Sequence, residues 1–105
     1  MRILILGLCL TLCACSGAKP SLAVMPSRGA IVAARDCSGC HALGATDPSP
    51  RSSAPTFRQL ALRYNELSLE RKLAEMNGHA HFDMPATTFQ TSEIADLAAY
   101  ISNSR

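Results

Sequence analysis

Apolar positions along this chain recur at helical spacing and nowhere alternate as a strand would. Over residues 27–37, Ser27 is placed to cap a helix with Ile31, Ala34 and Ala30 sharing a face. The stretch "TFRQLALRY" repeats the pattern, with Thr56 as cap and Phe57, Leu60, Ala61 and Tyr64 at helical intervals. Asn65 and Ser68 then punctuate the chain before "LERKLAEMNG", whose stripe is Leu69, Leu73 and Met76 and whose natural stop is Gly78. A last helix follows in "TSEIADLAAYISNSR", capped by Thr91, with Glu93 near its positive end and Ile94, Leu97, Ala98 and Ile101 along one side. Two stretches resist helix: "GATDPSPRSSAP" at 44–55, broken by three prolines, and "HAHFDMPATTFQ" at 79–90. The chain is predicted to be all-α, with about four helices.

The first residues follow another logic. "MRILILGLCLTLCACSG" has Arg2, then an apolar run from Ile3 to Leu12, then small residues, the order of a secretory signal peptide. The run is too short for a permanent membrane span. Its exit, "LCAC", resembles the bacterial lipobox, in which the final cysteine becomes lipid-modified and N-terminal after cleavage. That cysteine is Cys15; Cys13 departs from the pattern, which favours a smaller or β-branched residue there. Cleavage after Ala18 or Ala23 is the alternative. The expected organisation is thus a signal peptide over 1–14, a Pro- and Ser-containing tether or irregular segment over 15–26, and a folded domain over 27–105. The expected location is the periplasm, with a membrane anchor if Cys15 is acylated.

Composition sharpens the picture. A chain of 105 residues makes one small domain. Hydrophobic residues are 48% of it but aromatics only 5%, with no Trp, so large side chains for a core are scarce. Something else is expected to fill the centre. A net charge of +2 without a basic run argues against nucleic acid as a partner.

Of the five cysteines, Cys9 and Cys13 leave with the signal peptide, and Cys15 is lipidated or removed. Cys37 and Cys40 remain, with no second pair for a four-thiolate zinc site or a disulfide framework. They stand in "CSGCH" (37–41). Such a pair serves a redox dithiol, part of a metal site, or a covalent haem attachment. A thioredoxin-type dithiol needs a βαβ context that this pattern lacks. In C-x-x-C-H, two thiols about a turn apart reach both vinyl groups of a haem, and His41 offers an axial nitrogen to the iron.

With that motif in view, the chain from about 27 to 104 resembles a small bacterial class I (monohaem) cytochrome c. Gly29 stands eight residues before Cys37, where that family lets its N-terminal helix cross the C-terminal one closely. "DLAAYI" (96–101) resembles the family's C-terminal helix, with Leu97 and Tyr100 packing at the crossing and against the haem. Pro55 resembles the residue whose carbonyl accepts the ring N–H of the histidine ligand. "MP" at Met84 and Pro85 resembles the loop that presents the sixth ligand, and "GHAHFDMP" resembles a loop of some short members. His79 and His81 are the competing ligands, while Met76 lies on a helical stripe and is expected in the core. Ala33 stands where the family often has an aromatic, which predicts a looser helix crossing with less for Tyr100 to pack on. The resemblance implies one covalent haem c and a monomeric single-electron carrier with transient redox partners. An electron-entry subunit of a larger enzyme, a haem-based sensor with a weak sixth ligand, and a thiol oxidoreductase are the alternatives. Arg35, Arg58, Arg63, Arg71 and Lys72 would make a weak positive rim, although Asp36, Glu66, Glu70 and Glu75 among them favour a scattered, solvated surface.

Overall fold

The computed structural model describes residues 23–105, so the stretch expected to be a signal peptide, Cys15 and most of the expected tether lie outside the described residues. Four helices follow in order: α1 (Pro26–Asp36), α2 (Phe57–Arg63), α3 (Glu66–Met76) and α4 (Thr91–Ser102). Among the described residues there is no strand, only an isolated antiparallel bridge between His81 and Met84. The fold is all-α, and α4 is its hub, packing on α1, α3 and α2. Its apolar stripe of Ile94, Leu97, Ala98 and Ile101 is buried along its length.

Local chemistry moves several helix starts from where the pattern puts them. Ser27 is not the cap of α1: the cap position is Met25 and Pro26 opens the helix, where a missing N–H costs nothing. The buried face of α1 is Gly29, Val32 and Ala33, whereas Ile31 is 67% exposed and Ala34 also faces outward. Helix α3 starts at Glu66, ahead of the predicted Leu69, because the Asn65 side chain accepts from the Ser68 N–H at 2.9 Å. Thr91 is the first residue of α4 rather than its cap; Gln90 takes that place, its N–H donating to the Glu93 carboxylate at 2.9 Å. Thr56 does cap α2, in a reciprocal pair with Gln59. Gly78 ends α3's run-out in the left-handed region, at φ +76°.

The α1–α4 crossing is close, not loose. A Cβ on Gly29 would overlap the Asp96 carbonyl oxygen and sit 2.8 Å from the Tyr100 Cβ. Bare backbone at position 29 is what allows the approach. With Ala33 wholly buried in the crossing, Tyr100 packs edge-on to Phe57 of α2 instead, ring centroids 6.0 Å apart.

Asp96 breaks the apolar stripe of α4 yet is buried, with its partners supplied by α1. Its carboxylate accepts from the Met25 N–H at 2.6 Å and from Arg28 Nε at 2.7 Å. The first turn of α1 is therefore capped from another helix. The Arg28 guanidinium and the Met25 N–H together hold this carboxyl below the usual carboxylate range, against the upward push of burial. A carboxyl depressed in the fold contributes stability above its unfolded pKa and loses it as pH falls through the folded value. Asp96→Asn is therefore expected to destabilise the haem-loaded protein near neutral pH by about 2 kcal/mol, below the full cost of breaking a buried pair because Arg28 is 39% exposed. The deficit should shrink as pH falls from about 5 through the carboxylate range. Urea denaturation from pH 7 to pH 3 checks this, and a deficit that does not change with pH would contradict it.

Candidate haem site

Past the end of α1 the chain winds on for one more turn. Cys37 N–H donates to the Ala33 carbonyl at 2.9 Å, and both Cys40 N–H and His41 N–H donate back to the Cys37 carbonyl, at 3.1 and 2.9 Å. This turn carries Cys37, Cys40 and His41 onto the wall of one cavity of about 580 Å³. Met84 lies on the wall of the same cavity, as do Pro55 and Leu97. The remaining lining is largely apolar, with Phe57, Leu69, Phe89 and Ile101 contributed by three helices and a loop.

Three details define the chemistry. First, His41 Nδ1 lies 2.6 Å from the Pro55 carbonyl oxygen. A carbonyl only accepts, so Nδ1 carries the proton, and in the neutral ring Nε2 is the nitrogen left with a lone pair. The Phe57 N–H bonds the Ala42 carbonyl at 2.9 Å and ties α2 to the histidine segment. Second, burial pushes the Cys37 thiol up to about 11; Asp36 adds to the rise and Arg35 opposes it. Such a thiol stays protonated at neutral pH, the opposite of the depressed pKa that marks a dithiol catalyst. Third, Met84 sits on a loop closed at its neck by the Asn77 side chain, whose Nδ2 donates to the Phe89 carbonyl at 3.0 Å. The Oδ1 of the same side chain accepts from the Phe89 N–H at 2.7 Å.

The competing residues separate. His79 is exposed and away from the cavity, whereas His81 is half-buried on its wall, three residues from Met84. Met76 also lines the cavity and is not part of the buried core cluster, contrary to its expected packing role. Tyr100 does not reach the cavity; Leu97 and Ile101 are the α4 residues that do. Of the basic residues expected at a rim, Arg63 and Lys72 line the cavity, as does Arg51, and Lys72 lies 3.7 Å from Glu75. Arg35 is instead bound to Asp36 and Glu93, which holds its guanidinium protonated. Arg28, Asp96, Arg51 and Asn77 were not singled out by pattern. The available signals were an acidic residue interrupting the α4 stripe and an Asn directly before a helix-ending Gly.

A volume of this size lies in the range that holds a cofactor-sized molecule among apolar walls with few polar groups. Two thiols, an imidazole with a fixed tautomer and a thioether make a donor set that fits a covalently held haem. An all-α fold wrapped on such a cavity defines a haem protein of the c type. The family model for Cytochrome c matches residues 26–105, and the chain belongs to that family. It is similar to Cytochrome c-552 of Bradyrhizobium diazoefficiens, 31% identical over 105 residues that cover 100% of this chain and 99% of that protein. No solved structure matches it significantly. The protein is a haem c electron carrier with one covalently attached haem.

Proposed function

We propose that the protein is an exported carrier that holds haem through Cys37 and Cys40, with His41 and Met84 as the axial ligands of the iron. When bound, the haem supplies a ferric/ferrous couple. The chain's own residues do the rest. Cys37 and Cys40, at the end of α1, would hold the haem covalently through thioether bonds. Pro55 orients His41 so that Nε2 is the free nitrogen. Phe57, Leu97 and Ile101 exclude water, which together with ligand choice sets the potential. With two protein ligands retained there is no open position for substrate, so the chain passes single electrons to transient partners over small interfaces.

The observation that carries this reading is the fixed His41 tautomer in a cavity that Met84 also lines. Export rests on the pattern of the first residues, and a membrane tether rests on Cys15. Among the described residues no helix is long and apolar enough to cross a membrane. Oxidised and reduced absorption spectra, with a haem-stained denaturing gel, test the site. Haem surviving denaturation with a far-red ferric–thioether band supports both thioethers and Met84. Attached haem without that band moves the sixth position to His81 or leaves it open, as a sensor requires. Met84→His is expected to erase the band and lower the reduction potential by on the order of 0.1 V, within the span that axial ligands set. Voltammetry checks the shift, and an unchanged potential would remove Met84 from the iron.

A further inference from the structure

We propose that the loop over residues 77–89 is a latch fastened at two points, Asn77 at its neck and Arg51 beside Met84, and that these two positioning residues set how firmly the Met84 sulfur is held. The inference rests on Met84 being the sixth ligand. It starts from a backbone cost. Phe82, which also lines the cavity, has φ +49°, a region that side-chain-bearing residues rarely adopt. It stands in the tight turn formed by His81 and Met84, whose backbones exchange hydrogen bonds of 3.1 and 2.8 Å. The turn that presents the sulfur is thus held in place from outside itself.

Two sets of contacts supply the hold. At the neck, Asn77 pairs with both the N–H and the carbonyl of Phe89, and the Gly78 N–H donates to the Thr87 carbonyl at 2.9 Å. Phe89 is buried and lines the cavity, so loss of the Asn77 amide would leave buried backbone groups unpaired. Beside the ligand, Arg51 Nη1 donates to the Asp83 carbonyl at 2.9 Å. The N–H of Arg51 donates to the Cys40 carbonyl at 3.2 Å. One residue therefore straps the residue before Met84 to the residue before His41, tying together the two segments that carry the axial pair.

Imidazole binding to the ferric, haem-loaded protein reads the latch, because imidazole enters as Met84 leaves. Asn77→Ala is expected to tighten imidazole binding about tenfold, the equivalent of one net hydrogen bond. Arg51→Ala should tighten it about threefold, as suits an exposed contact. In both variants the far-red ferric–thioether band should fade at a lower temperature than in wild type, while haem stays attached on a denaturing gel. Arg51→Lys should fall between Arg51→Ala and wild type. Arg51 is exposed, so Arg51→Ala decides the matter even if Asn77→Ala does not fold. Unchanged imidazole affinity in variants of a wild type that shows the band overturns the latch alone. A wild type without the band, whose imidazole affinity Met84→Ala does not alter, overturns Met84 ligation and the latch with it.

Discussion

Replacing both Cys37 and Cys40 by serine is expected to leave no haem on a denaturing gel and to abolish the cooperative fold. Serine makes no thioether, so retention would fall to two axial bonds and apolar contacts. The fold depends on that retention because helices α2, α3 and α4 all face the cavity. Without the haem the apolar walls of this cavity of about 580 Å³ would face water or have to collapse on one another. A small domain has only ~5–15 kcal/mol of stability to set against that loss. A haem-stained gel and a far-UV circular dichroism melt of the double variant make the measurement. A haem-stained band or a sharp melt would show that the cysteines are dispensable. Each single variant, keeping one thioether, should retain haem and melt between the double variant and wild type.

Gly29→Ala is expected to destabilise the haem-loaded protein by about 3 kcal/mol, the upper end of overpacking costs. What the methyl group meets decides the size. Its nearest neighbours are the carbonyl oxygen and carbon of Asp96, the latter at 2.6 Å, and backbone cannot swing aside as a side-chain tip can. Helix α1 would have to move off α4, which lengthens the Asp96 bonds to Met25 and Arg28 at the same crossing. Helix propensity alone predicts the reverse, since Ala favours helix over Gly by about 1 kcal/mol. A chemical denaturation midpoint therefore separates the two effects by sign. A stabilised Gly29→Ala variant would mean that the crossing is not close.

The stripe of α4, the Thr56 cap and the C-x-x-C-H turn were legible along the chain because each depends on neighbours within a turn or two. The errors share one cause. Ile31, Ala30 and Ala34 have the spacing of a buried face, but the side of α1 that turns inward is the one with no side chain at Gly29. The cap of α1 could not be found nearby, since its acceptor, Asp96, is 71 residues away. Met76 has the periodicity of a core residue, and only the placement of α3 beside the cavity takes it out of the core. Asn77 and Arg51 belong to the same group, because a polar side chain acquires a meaning from the distant backbone that it meets.

The helical class, the paired thiols with their histidine, and the shortage of large side chains that calls for a filler at the centre can all be read along the chain. These follow from composition and short-range spacing, which do not depend on how the chain closes. That Pro55 bonds His41 Nδ1, that His81 shares the cavity while His79 does not, and that α1 is capped by α4 depend on the folded arrangement. The physical reason is range: hydrogen bonds and close packing act over a few ångströms, and which residues come that near is settled only when the helices cross.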